Sequence, residues 1–131
     1  MGTGRWRLTV REEFSASHQL RHYQGKCEAL HGHNFGVEVS IEGDRTDERT
    51  GMLLDFKVLK DITRECVGLL DHKHLNDLEA FAGENPSSEH LARFLFREIE
   101  GRLGGYAVSL VEVTVAEKSS QSATYFESGE K

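Results

Sequence analysis

The stretch CEALHGHNF, residues 27 to 35, brings a thiol, Cys27, and two imidazoles, His31 and His33, within seven residues. A third imidazole, His18, closes the earlier run FSASHQL. Imidazole nitrogen and thiolate sulfur are the usual protein ligands of borderline transition metals. Three neutral imidazoles suit Zn²⁺, at about 2.0–2.1 Å, and leave a fourth tetrahedral position for water or substrate. Cys27 has two open readings. It could close the sphere as a Cys-His₃ structural site, or stand beside the metal as a base or nucleophile, its thiol pKa, ordinarily about 8.5, lowered by the neighbouring cation.

Two further groups carry possible chemistry. Asp71 and His72 are adjacent, so the carboxylate could orient the imidazole and stabilise its protonated form; the plainer reading is a solvated loop in which Asp71 caps a turn. Glu117 ends an otherwise apolar strand face, where an unpaired charge is expensive. Such a carboxylate could accept two N–H bonds from the amidine-like edge of a guanine or pterin ring, or could escape to solvent at the strand end. Cys66 falls on a helix stripe and is expected to be structural. His22 and His74 are expected to be surface histidines.

The elements needed to position these groups follow from periodicity. From Arg5 to Ser17 every odd position is polar, while Trp6, Leu8, Val10, Phe14 and Ala16 are apolar, which predicts a half-buried strand ending near His18. A second strand runs from about His31 to Glu42, with Phe35, Val37, Val39 and Ile41 on one face. His18 shares the parity of Phe14 and Ala16, and His31 and His33 that of Phe35. Antiparallel pairing of the two strands would therefore converge all three imidazoles on the apolar side.

GDRTDERTG, residues 43 to 51, is a turn. Asp55 then caps an amphipathic helix reaching about Leu70, with Phe56, Leu59, Ile62, Cys66 and Leu69 as its stripe. A second helix starts at Ser87 or Ser88, after the only proline, buries Leu91, Leu95 and Ile99, and stops at Gly104-Gly105. Val108 to Glu117 alternates again, and Ala123 to Glu127 is a short last strand. The order is ββααββ, an α+β domain with a four-stranded antiparallel sheet and two helices on one face. Its open sheet edges favour subunit pairing into a closed barrel.

At 131 residues the chain is expected to be a single domain, residues 1 to 131. It lacks any apolar run of membrane length, and MGTGRWRLTV has no apolar signal core, so a soluble cytoplasmic protein is expected. Its net charge of −6 argues against a nucleic-acid partner. Two cysteines in a reducing compartment predict no disulfide.

In order and spacing, FSASHQL, CEALHGHNF, TGMLLDF, LDHKHLND and ENPSSE resemble the 6-pyruvoyltetrahydropterin synthase and 6-carboxytetrahydropterin synthase family over nearly the whole chain, most closely the bacterial enzymes of queuosine (7-deazaguanine) biosynthesis. The resemblance implies the tunnelling fold: ββααββ subunits forming trimeric twelve-stranded barrels that stack into hexamers, with active sites at subunit interfaces. It implies that His18, His31 and His33 hold Zn²⁺, that Cys27 is the catalytic thiol, and that Asp71 and His72 form a relay that a neighbouring subunit could supply. Glu117 would anchor the pterin ring, with Ser87, Ser88 and Glu89 lining its pocket. The implied substrate is 7,8-dihydroneopterin triphosphate; the implied products are 6-carboxy-5,6,7,8-tetrahydropterin, acetaldehyde and triphosphate. Lys26 and Lys73 are candidates to meet the triphosphate. The run EKSSQSATYF departs from the family after Glu117, where a threonine is common, so contacts beyond that residue do not transfer.

Overall fold

The alternation of β1, Trp6–His18, and β2, His31–Gly43, brings them together as a long antiparallel pair in the computed structural model, which describes residues 2, 4–23 and 29–128. Cys27 and Lys26 lie outside the described residues. Phe14 sits opposite Phe35, their rings stacked with centroids 4.8 Å apart, and His18 sits opposite His31. Residues on one parity of β1 and β2 form the buried face; the other parity carries cross-strand polar pairs, the exposed Arg11–Glu38 and the part-buried Thr9–Ser40, whose hydroxyls satisfy each other.

Helix α1, Phe56–Val67, begins at Asp55, whose carboxylate accepts from the Lys57 amide as an N-cap should. It ends at Val67 rather than Leu70, and its buried stripe is Leu59, Thr63, Cys66 and Val67. Phe56 and Leu69, expected in that stripe, are exposed. Thr63 takes its place inside because its hydroxyl donates to the Leu59 carbonyl at 2.8 Å and so needs no outside partner. Helix α2, Ser88–Glu100, is capped by Ser87, whose hydroxyl accepts from the His90 amide. It buries Leu91, Leu95, Phe96 and Ile99, and stops at Gly101, ahead of the expected glycine pair.

Between the helices the chain forms β3, Lys73–His74, a two-residue strand parallel to β1, and then two short 3₁₀ turns, Leu75–Asp77 and Glu79–Phe81. Strands β4, Ser109–Lys118, and β5, Gln121–Tyr125, complete a sheet of order β3-β1-β2-β4-β5. The four expected strands are antiparallel neighbours, and the sheet gains β3 as a fifth strand at its edge. Two residues are too few to show a period, so β3 has no signature in the sequence. Among the described residues, no helix is long and apolar enough to cross a membrane.

Candidate metal and substrate site

The antiparallel register that pairs His18 with His31 also sets Ala16 opposite His33, so three imidazoles emerge at one end of the β1–β2 ladder, on the helix-covered face. Their ring centroids lie 4.6 to 5.3 Å apart, at steep mutual angles. His18 is 1% exposed. Its Nδ1 donates to the Pro86 carbonyl at 2.8 Å, which fixes the tautomer and leaves the Nε2 lone pair facing inward. His31 is held the same way, Nδ1 to the Ala29 carbonyl at 2.9 Å. Tethering one ring nitrogen to a backbone carbonyl is how proteins orient a metal-ligating histidine.

Glu117 completes the group. It lies on β4 on the face of Val113 and Val115, beside a register irregularity between Val115 and Lys118. Its Oε2 stands 3.6 Å from His18 Nε2 and 3.7 Å from His33 Nε2, while Oε1 accepts from Gln121 Nε2 at 3.0 Å. One donor atom from each of His18, His31, His33 and Glu117 lies within 4.8 Å of the others.

The state of these atoms matches what a metal ion would require. His18 Nε2 and His33 Nε2 are buried side-chain nitrogens with no hydrogen-bond partner, a costly arrangement unless something else satisfies them. The Glu117 separations exceed a hydrogen bond and lie near the roughly 3.3 Å edge of a tetrahedron with bonds of about 2.0–2.1 Å. Burial holds the His33 imidazole below its usual pKa, opposed by Glu117 and assisted by His31, His18 and Lys118, so the ring favours the neutral form that can donate a lone pair. The four residues could hold a metal ion.

Beside this cluster is a cleft of about 240 Å³ lined by His18, Ser87, Ser88, Glu89, Glu117 and Gln121. The residues expected to bind metal and those expected to bind a ring thus meet at one place. Ser87 is also committed to capping α2, and Glu89 stands exposed in the first turn of that helix. Placement of Glu117 against the imidazoles was not legible in the sequence. Parity put it on the right face, but only the register of β4 on β2, with Ala116 opposite Gly36, brings it level with Phe35 and next to His33.

Asp71 and His72 are elsewhere. Asp71 Oδ1 accepts from the Ser15 amide at 2.9 Å, and the His72 amide donates to the Ser15 carbonyl at 2.6 Å, so both are stitched to β1. The His72 ring is open to solvent, its Nε2 3.5 Å from Asp71 Oδ2, and its backbone is left-handed with φ of 59°. Non-glycine residues hold that conformation only where their surroundings impose it. His72 lines a second cleft of about 500 Å³ with Ser15, Ser17, Asn34, Lys73 and His74; of the four metal-donor residues, His33 borders it. His74 is a half-buried strand residue bonded to Ser17 Oγ at 3.0 Å rather than a surface histidine, whereas His22 is exposed as expected. Cys66 is a free, fully buried thiol, pushed up by burial to about 11.

Four antiparallel strands with a short parallel strand at one edge and two helices on one face agree with the tunnelling fold that the family resemblance implies. The family model described as 6-pyruvoyl tetrahydropterin synthase matches residues 7–128, and the chain belongs to that family. It is 38% identical over 125 residues to a Synechocystis protein named 6-carboxy-5,6,7,8-tetrahydropterin synthase, covering 92% of this chain and 93% of that one. It is 35% identical over 130 residues to a Dictyostelium discoideum protein named 6-pyruvoyl tetrahydrobiopterin synthase, covering 90% and 93%. The solved 6-pyruvoyl tetrahydropterin synthase of Caenorhabditis elegans superposes with a TM-score of 0.82 at 24% identity, over 96% of this chain and 98% of that chain.

Proposed function

We propose that the protein is a zinc-dependent 6-carboxy-5,6,7,8-tetrahydropterin synthase, a cytoplasmic lyase of queuosine biosynthesis that works as a homohexamer built from two trimers. It converts 7,8-dihydroneopterin triphosphate and water to 6-carboxytetrahydropterin, acetaldehyde and triphosphate. The observation that carries this reading is the cleft in which His18 and Glu117 stand beside Ser87, Ser88 and Glu89. A site able to hold a cation adjoins one rich in ring-binding groups.

His18, His31 and His33 would hold the ion, each through Nε2. When bound, it supplies Lewis acidity to the substrate's side-chain hydroxyls and makes the adjoining C–H bonds more acidic. Cys27 as thiolate takes a carbon-bound proton, and His72, oriented by Asp71, shuttles another. Asp71 and His72 reach the reaction from a neighbouring subunit, in keeping with the position of His72 in a different cleft from Glu117. The Glu117 and Glu89 carboxylates accept the N–H donors of the pterin edge, with the Ser87 and Ser88 hydroxyls beside them. Lys73, in the cleft of His72, and Lys26 are the cations offered to the triphosphate.

The alternative product is 6-pyruvoyltetrahydropterin, formed by triphosphate elimination without side-chain cleavage; the Dictyostelium relative bears that activity's name. Incubation of the pure protein with dihydroneopterin triphosphate, with the pterin identified by mass, separates the two. Acetaldehyde with a carboxy-pterin is the expected result, and a diketo pterin without acetaldehyde would assign the sibling activity. A third reading, a non-catalytic Cys-His₃ metal module, predicts that neither product forms.

A further inference from the structure

Asn76 and Asn85 fall in LDHKHLND and ENPSSE, and neither lines the clefts described above. Both lie against the chain that leaves His18. Strand β3 stops at His74, opposite Ser17, so among the described residues no strand continues alongside the backbone beyond His18 on that side. Two side chains take its place. Asn76 Oδ1 accepts from the Gln19 amide at 2.8 Å while its Nδ2 donates to the Gln19 carbonyl at 2.7 Å. Asn85 repeats the pair at Arg21, accepting from the amide at 2.7 Å and donating to the carbonyl at 2.8 Å.

A carboxamide offers an acceptor and a donor in one plane, as a peptide group does, and reciprocal pairing at every second residue is what a neighbouring strand provides. The Arg21 guanidinium adds bonds to the Phe81 and Glu84 carbonyls, both at 2.9 Å. The residue after Asn85, Pro86, supplies the carbonyl that fixes the His18 ring. One segment therefore grips His18 by its imidazole and, through two amides, by the backbone that follows it.

We infer that Asn76 and Asn85 are positioning residues for the metal centre, a two-rung side-chain ladder that prolongs β3 and holds His18 Nε2 at its place in the cluster. The inference rests on the reading of His18 as a metal ligand. Aspartate is the discriminating replacement: it keeps size and acceptor, but sets a carboxylate oxygen against the Gln19 or Arg21 carbonyl in place of a donor.

The test uses the full chain loaded with Co²⁺. Asn76→Asp and Asn85→Asp should keep the far-ultraviolet circular dichroism of the parent, weaken cobalt binding about 10- to 100-fold and alter the cobalt d–d absorption envelope. Thr63→Val, inside α1, controls for general destabilisation: it should lower Tm and leave cobalt affinity and spectrum unchanged. Parental affinity and spectrum in both asparagine variants would overturn the inference, as would an equal loss in Thr63→Val. Should the parent bind no cobalt, the metal reading falls by itself, and hydrogen exchange decides the ladder. In Asn76→Ala and Asn85→Ala the amides of Gln19 and Arg21, respectively, should exchange at least about tenfold faster, with β2 unchanged. Unchanged exchange would overturn it.

Discussion

The imidazole cluster and the Asp71–His72 corner use the same residue chemistry under opposite conditions. His18 is sealed in the core margin, its ring fixed by Pro86, and it shares a closed group with His31, His33 and Glu117. His72 is held by its backbone to Ser15, yet leaves its ring in solvent with a single carboxylate beside it. In the first, every donor comes from one chain and converges on one point; in the second, a left-handed backbone holds a ring in solvent with the Asp71 carboxylate beside it. The difference separates a group gathered within one chain from a ring left accessible at the surface.

Removing a ligand from the closed group should have the largest effect. His31→Ala is expected to lower bound zinc well below one per chain and to abolish turnover, measured by elemental analysis of dialysed protein alongside product formation. Full zinc retention would remove His31 from the ligand set. The reciprocal experiment concerns the thiol: Cys27→Ala should keep zinc and fold while losing roughly 10²- to 10⁴-fold in kcat, the range for a general base. Joint loss of zinc and Tm would instead make Cys27 a structural ligand.

The open corner is tested by complementation. His72→Ala alone should lower kcat by about 10²-fold or more. If the relay serves a neighbour, mixed oligomers of the Cys27→Ala and His72→Ala chains regain activity, because some sites pair an intact thiol with an intact imidazole. Equal, random mixing gives about a quarter of sites intact. No recovery after co-refolding would place both groups in one chain's site.

How far the sequence reveals this contrast depends on range. Parity along β1 and β2 was enough to bring His18, His31 and His33 together, because a single antiparallel pairing relates them and a slip of one residue would turn them to the other face. Asp55 and Ser87 announce their helices through local hydrogen-bonding chemistry. What stayed hidden was set by long-range register: Glu117 beside His33, the two-residue β3, and the asparagine side chains that stand in for a strand. Phe56 and Leu69 mislead for another reason. Periodicity shows that a helix has an apolar side, but the neighbours decide how wide a stripe is covered, and α1 rolls toward Thr63 and Val67.

The smallest expected effect sharpens the same comparison through pH. His33, inside the closed group, is held by burial below its usual pKa of 6.5. As pH falls below that value, the unfolded chain takes up a proton that the folded ring resists, so unfolding gains protons and stability drops. The His33 contribution is therefore fully present above about pH 6.5 and is lost as pH falls through the folded pKa. In metal-free protein Tm should decline between pH 7.5 and 5.5, and His33→Gln should reduce part of that decline. A decline of the same size in His33→Gln would show that burial of this ring carries none of the pH dependence.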